Sequence, residues 1–305
     1  MISRRDIVKT LCVAGTSLVL PTRISFAEQA AAIKRAIPST GETLPVVGMG
    51  SSRTFDVILD DTTRTQLGEV LQRFFDHGGA LIDSSPMYGS AESVLGELLQ
   101  DVKNEGALFA ATKVWTDGKE SGIQQMRQSM ERMRVDRFDL MQIHNLRDWK
   151  IHLQTLKDWK EQDKIRYIGI TTSNNRAHDE LVGALEAERF DFVQFSYSIG
   201  NRESERRLLP MAKDRGIATL INRPFQRGQL FQKVKGRPLP DWAGEFDCVS
   251  WAQFFLKFVL SHPAVTCAIP ATSKPRHMVD NMAASSGRLP DEAMRQRMIA
   301  YMESL

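Results

Sequence analysis

Apolar residues recur along the chain in two alternating rhythms. Short, nearly continuous apolar runs cover residues 46–50, 80–83, 108–113, 138–144, 167–171, 192–195, 217–221 and 265–269. Such runs are expected of parallel strands covered on both faces. Between them the period changes to that of a helix. After the first run, Leu67, Val70, Leu71, Phe74 and Phe75 fall at i, i+3, i+4, i+7 and i+8, and Gly78-Gly79 ends the stretch. Similar helical patterns cover 91–100, 123–133, 152–162, 177–188, 203–213 and 250–260. Eight βα repeats in a chain of 305 residues predict an α/β fold, a closed (β/α)8 TIM barrel. A doubly wound open sheet would want a G-x-G-x-x-G turn after an early strand, and Gly48-Met49-Gly50 lacks the third glycine. Ahead of the first run, 33–37 and 43–46 flank Pro38-Ser39-Thr40-Gly41 and predict an N-terminal β-hairpin placed to plug the barrel floor. Residues 222–247, between the last two strand runs, predict an enlarged loop on the catalytic face.

The first 27 residues have a different character. Ser3-Arg4-Arg5-Asp6-Ile7-Val8-Lys9 precedes a weakly apolar stretch, Leu11 to Leu20, which Pro21 ends. That stretch is shorter than the roughly 20 apolar residues a membrane span needs. Ser25-Phe26-Ala27 offers small residues at the positions that signal peptidases read. The pattern resembles a twin-arginine signal peptide, against the competing reading of an amphipathic first helix. It implies a leader over 1–27, a barrel domain over 28–305, the twin-arginine translocase as a partner and a periplasmic location. No stable membrane insertion is expected after cleavage.

The leader also accounts for the net charge of +3. It holds Arg4, Arg5, Lys9 and Arg23 against Asp6; taking four from 40 basic residues and one from 37 acidic ones leaves 36 of each. A balanced remainder argues against an electrostatic nucleic-acid partner. Of three cysteines, Cys12 lies in the leader, and the remaining two make no disulfide framework. Cys267, in an apolar run, reads as a buried thiol.

Residues at the C-terminal ends of barrel strands face the active site. Asp83, Lys113 and His144 end the second, third and fourth runs, and Tyr88 follows Asp83 by five positions. A phenol beside an ammonium, with a carboxylate holding the ammonium and an imidazole alongside, can protonate a developing oxyanion. A nearby ammonium is expected to lower the phenol's pKa from about 10. No metal-ligand cluster stands out.

Here the motifs become specific. Ile82-Asp83-Ser84-Ser85-Pro86-Met87-Tyr88-Gly89-Ser90-Ala91-Glu92, Ala111-Thr112-Lys113 and Asp139-Leu140-Met141-Gln142-Ile143-His144 resemble the signature segments of the aldo-keto reductases in order and spacing. The resemblance covers essentially the whole chain after the leader. It implies an NAD(P)H-dependent oxidoreductase reducing small-molecule aldehydes or ketones, with Tyr88 as general acid assisted by Lys113, Asp83 and His144.

The resemblance also implies cofactor contacts. Ser173, Asn174 and Gln194 match positions that hold a nicotinamide carboxamide. Thr272, Ser273, Lys274, His277, Asp280 and Asn281 match the adenosine-phosphate segment, where a helix N-terminus faces phosphate. Arg223, with Arg227, is placed to meet the pyrophosphate. Three positions depart from the family pattern: Ala271 stands in place of a common Lys, His277 in place of a common Arg, and Asn222 in place of a stacking Tyr. NADP(H) is the expected cofactor, and the first two departures keep NAD(H) open. An exported cofactor-binding module that senses redox state or docks a partner, with little turnover, is the alternative reading. Met87, Trp115, Trp149 and Trp242 are candidates for an apolar substrate wall.

Overall fold

In the computed structural model, which describes residues 32–305, the chain first turns back on itself in a short hairpin. Strand β1 (Lys34–Ala36) pairs antiparallel with β2 (Thr43–Pro45), and Gly41 takes the left-handed conformation that the turn requires, with φ +79°. The twin-arginine leader expected over residues 1–27 lies outside the described residues.

Eight parallel strands follow: β3 (Met49–Gly50), β4 (Leu81–Asp83), β5 (Phe109–Val114), β6 (Phe138–Ile143), β7 (Ile165–Thr171), β8 (Phe192–Ser196), β9 (Ala218–Asn222) and β10 (Cys267–Ala268). They lie in sequence order across the sheet, each paired with the next. A parallel bridge between Val47 and Ala268 joins the two edges, backed by Gly48 N–H to Ala268 O (2.8 Å) and Ala268 N–H to Val46 O (2.9 Å). The eight-stranded α/β barrel expected from the alternating runs is therefore what forms. Its first and last staves are shorter in regular pairing than the apolar runs suggested. Gly48 explains the tight seam: a Cβ there would lie 2.9 Å from Leu81 O and 3.1 Å from Cys267 Sγ.

Helices α1 (Asp61–Asp76), α2 (Ala91–Leu98), α3 (Lys119–Met133), α4 (Trp149–Glu161), α5 (His178–Ala187), α6 (Leu208–Asp214), α7 (Gln229–Lys233), α8 (Trp251–Leu260), α9 (Pro275–Ala283) and α10 (Glu292–Ser304) alternate with or follow these strands. The stripe read from sequence is the buried face of α1: Leu67, Val70, Leu71 and Phe74. Asp60 caps that helix by accepting from Thr63 N–H at 2.7 Å. Each such fully buried apolar side chain contributes about 1.5–3 kcal/mol.

Two cores result. The larger lies between the strands and the helices. The smaller fills the barrel interior with Leu81, Phe109, Leu140, Tyr167, Phe192 and Leu220, and Ile37 and Leu44 of the hairpin pack onto it. The hairpin thus seals the floor, leaving polar groups to the opposite end of the strands. Cys248 and Cys267 are free and buried. The loop after β9 carries α7 within it. Among the described residues no helix is long and apolar enough to cross a membrane.

Candidate active site

Asp83 is the last residue of β4 and Lys113 lies near the end of the neighbouring β5, so the register of the two strands brings the side chains together. Lys113 Nζ donates to Asp83 Oδ2 and to Ser84 O, both at 2.6 Å. Both side chains are buried, the lysine completely. The other Asp83 oxygen, Oδ1, accepts from Gln142 Nε2 (2.8 Å) and Gln194 Nε2 (3.1 Å). The carboxylate is held on both sides, which a buried charge requires.

Tyr88 is partly buried above this pair, with Lys113 Nζ 5.0 Å from its ring centre. His144, immediately after β6, meets the Tyr88 ring edge-on at 5.7 Å and 89°. Asp83, Tyr88, Lys113 and His144 therefore converge at the C-terminal mouth of the barrel, from three successive strands.

The electrostatics depart from the sequence expectation at one point. Burial pushes the Tyr88 phenol above its ordinary value; the Lys113 charge pulls the other way and is outweighed. Burial opposes the Lys113 ammonium too, but Asp83 and Tyr88 more than compensate, and its pKa rises. Burial, helped by Lys113, pushes the His144 imidazole down to about 2, so the ring is neutral at ordinary pH. The set is an ammonium–carboxylate pair beneath a protonated phenol and a neutral imidazole. It can donate a proton and hydrogen bonds to an oxygen gaining negative charge.

Gln142, Ser85 and Ser196 contribute without having been singled out in the sequence. Gln142 was a polar residue inside an apolar strand run, which is a signal that it needs a partner across the barrel. Its room comes from Gly169 on β7, where a Cβ would lie 2.8 Å from Gln142 Cγ. Ser85 Oγ lies 2.9 Å from His144 Nδ1. Ser196 Oγ donates to Asn222 Oδ1 (2.6 Å), and Asn222 Nδ2 donates to Thr172 O (3.2 Å). Non-glycine residues with positive φ gather on the loops beside the mouth: Asn145, Leu146 and Asp148 after β6, and Arg223, Gln226 and Arg227 after β9.

The expected cofactor positions divide. Ser173, Asn174 and Arg223 line a cleft of about 600 Å³ with Arg176, Gln226 and Arg227, and Arg223 Nη2 donates to Ser173 Oγ at 2.8 Å. Among the described residues no carboxylate lines this cleft. Burial, and then repulsion from Arg227, hold the Arg223 guanidinium below its ordinary value. Clustered, unneutralised arginines beside serine and asparagine groups fit a ligand carrying phosphates and an amide. Thr272, Ser273 and Lys274 form the loop into α9, where Thr272 Oγ1 accepts from Lys274 N–H (3.1 Å), and His277 is exposed on the first turn.

Other positions are used internally. Gln194 is 2% exposed, and its amide bonds Asp83, Gln142 (3.2 Å) and Asn222 (3.4 Å). Asp280 Oδ1 accepts from Ser250 Oγ (2.8 Å) and Gln253 Nε2 (2.7 Å), tying α9 to the start of α8, and Asn281 is buried. Phe225 packs on Phe231 and Phe255. Of the proposed apolar wall, Trp115 lies 6.4 Å from His144 and Met87 is exposed beside Tyr88. Trp242 instead packs against Phe246, Phe254 and Tyr301, and Trp149 packs onto the outer core.

Comparison with known proteins bears on the family and the fold. The chain is 25% identical over 218 residues to the aldo-keto reductase YhdN of Bacillus subtilis, covering 65% of this chain and 64% of that protein. It is 26% identical over 246 residues to the methylglyoxal reductase YeaE of Escherichia coli, covering 79% and 85%. A Klebsiella pneumoniae aldo-keto reductase solved in complex with NADPH superposes with a TM-score of 0.72 at 23% identity, over 88% of this chain and 96% of that one. A sequence profile of the aldo/keto reductase family matches residues 46–300, the stretch that holds the whole barrel and its polar mouth, and the chain belongs to that family.

Proposed function

We propose that the protein is an NAD(P)H-dependent reductase of small-molecule aldehydes or ketones. The carrying observation is the buried Asp83–Lys113 pair beneath Tyr88, with neutral His144 at the phenol's edge. Nicotinamide supplies hydride to the carbonyl carbon when bound. Tyr88 then transfers its phenolic proton to the carbonyl oxygen, and its O–H bond electrons remain as phenolate. Lys113 stabilises that phenolate, and Asp83 holds Lys113 in place. His144 donates a hydrogen bond to the oxygen while charge grows on it. Water returns a proton to Tyr88 after release.

Ser173, Asn174, Arg223 and Arg227 fit the nicotinamide and pyrophosphate side of such a cofactor, and Lys274 and His277 fit its adenosine-phosphate end. NADP(H) is favoured by the complexes solved for similar folds, including the Klebsiella protein with NADPH and another from the same species with NADP and acetate. Because YeaE is named for methylglyoxal and a Bacillus subtilis relative for glyoxal, small dicarbonyls are the first substrates to test.

The test is to purify the protein, identify bound nucleotide, and follow NADPH and NADH oxidation with aldehyde and ketone panels. Turnover with wild type that is lost in Tyr88→Phe is the expected result. Absence of both nucleotide binding and turnover would sink the proposal. We also propose that residues 1–27 direct export through the twin-arginine route, on the strength of Arg4-Arg5, the weak apolar stretch and Ala27. Replacing Arg4 and Arg5 by lysine is expected to retain the protein in the cytoplasm; normal export of that variant would refute it.

A further inference from the structure

Ser85 is completely buried, and its hydroxyl has two partners among the described residues. The backbone N–H of Met87 donates to Oγ at 3.2 Å. His144 Nδ1 lies 2.9 Å from the same oxygen. The direction of that second bond follows from counting protons. A neutral imidazole carries one N–H, on either Nδ1 or Nε2. If Nδ1 carried it, Ser85 Oγ would accept twice, and its own O–H would be buried with no acceptor. If Nε2 carries it, the Ser85 O–H donates to Nδ1, both atoms of that bond are satisfied, and the remaining N–H is on Nε2, which is not among the buried unpartnered atoms of the described residues. Burial favours the second arrangement, because a buried donor without an acceptor is penalised and a satisfied one is not.

We infer that Ser85 is a positioning residue that fixes His144 as the Nε2–H tautomer, so that the imidazole presents a donor to the carbonyl oxygen. The inference rests on the reductase reading for the use of that donor, but not for the tautomer itself. The surroundings hold the ring in place. Tyr88 stands edge-on at 5.7 Å and Trp115 lies at 6.4 Å. With Nδ1 bonded to Ser85, Nε2 is the ring nitrogen left without a hydrogen bond from the protein among the described residues. Ser85 follows Asp83 by two positions, so one short segment carries the carboxylate, this hydroxyl and Tyr88. A single turn of chain thus sets the acid, the partner of its lysine and the protonation pattern of the histidine.

The test reads the tautomer directly. The full-length protein is labelled with 15N at its six histidines, and the His144 signals are assigned by their loss in His144→Gln. In wild type at neutral pH, Nδ1 is expected in the unprotonated acceptor range and Nε2 in the protonated range. In Ser85→Ala the signals should move toward the other tautomer or an average of the two. Turnover should fall about a hundredfold, in kcat more than in KM, the lower end of the cost of losing one oxyanion donor. Ser85→Thr keeps the hydroxyl and should restore both the spectrum and most of kcat. A wild-type spectrum with the proton on Nδ1 overturns the inference even if Ser85→Ala fails to fold. So does a folded Ser85→Ala with unchanged tautomer and unchanged kcat. A wild type that shows Nε2–H yet reduces no carbonyl would leave the tautomer assignment supported and refute the reductase reading instead.

Discussion

Lys113 Nζ sits 2.6 Å from Asp83 Oδ2, and neither side chain is more than 3% exposed. Such a pair is tolerated because each charge is neutralised and hydrogen-bonded, and removal of one partner leaves the other buried and unpaired. Lys113→Ala is therefore expected to cost about 3–5 kcal/mol in stability as well as all measurable carbonyl reduction. The double variant Asp83→Asn, Lys113→Met should recover much of the stability and none of the activity. Denaturant unfolding of the three proteins checks this. Equal stability of Lys113→Ala and wild type would mean that the pair is not a buried charge pair in solution.

Tyr88 sets the pH dependence of the chemical step. Burial raises its pKa above the ordinary tyrosine value, so the phenol is in its donating form throughout the neutral range. His144, held down to about 2, keeps its neutral form there as well. The rate of the reductive step, measured in single turnovers, is expected to be flat from about pH 6 to about pH 9 and to fall only as the phenol ionises. Tyr88→Phe removes the proton and little else. It should bind nucleotide like wild type, keep its stability and reduce nothing. A steep loss of rate between pH 7 and pH 8 would contradict the raised pKa.

The barrel was legible in the sequence because its staves are buried on both sides, and burial writes itself as apolar runs. Asp83, Lys113 and His144 were legible as the polar residues that end such runs. The first and last staves were overdrawn, since regular pairing there is confined to Met49–Gly50 and Cys267–Ala268 while a single bridge closes the seam. What the sequence could not display is which polar groups face each other across the barrel. That depends on register, which a linear pattern does not carry. So the bonds of Gln194 to Asp83 and of Asp280 to the start of α8 were not visible in the motifs that suggested a cofactor role for both. Ser85 and Gln142 were present in the quoted motifs without visible partners. The Tyr88 shift differs in net sign from the sequence expectation for a related reason: the ammonium beside it, which does lower the pKa, is visible in the motif, and the depth of burial that outweighs it is not.

Gln142 offers a way to perturb Asp83 without touching the residues proposed to meet substrate. Its amide donates to Asp83 Oδ1 at 2.8 Å, with Gln194 as a longer second donor at 3.1 Å. Gln142→Leu should cost about 1–3 kcal/mol in stability, because a buried acceptor loses its better partner. It should also lower kcat several-fold while leaving nucleotide affinity near wild type. Gly169→Ala reaches the same bond from the other side: the new Cβ would lie 2.8 Å from Gln142 Cγ and 3.2 Å from Leu140 Cδ1. Both variants should shift kcat in the same direction, and combining them should cost less than the sum of the two. Strict additivity would place their effects outside the Asp83 contact.

The buried histidines govern stability on the acid side. Burial pushes His144 down to about 2 and His262 down to about 4, with Lys113 and Arg295 next in effect, from an ordinary value of 6.5. In the unfolded chain both imidazoles take up a proton near pH 6.5; in the folded protein neither does. The unfolded state therefore binds more protons below that pH, and the linkage sign makes folding less favourable as pH falls. Stability from this source is complete above about pH 6.5 and is lost progressively toward the folded-state values. The melting temperature should fall as the buffer is taken from pH 7 to pH 5. Replacing both residues by glutamine, which never titrates, should flatten that slope even if it lowers the melting temperature at pH 7. An acid slope as steep in the double variant as in wild type would assign the loss to other groups, such as carboxylates or His178 and His277, whose pKa values burial also lowers.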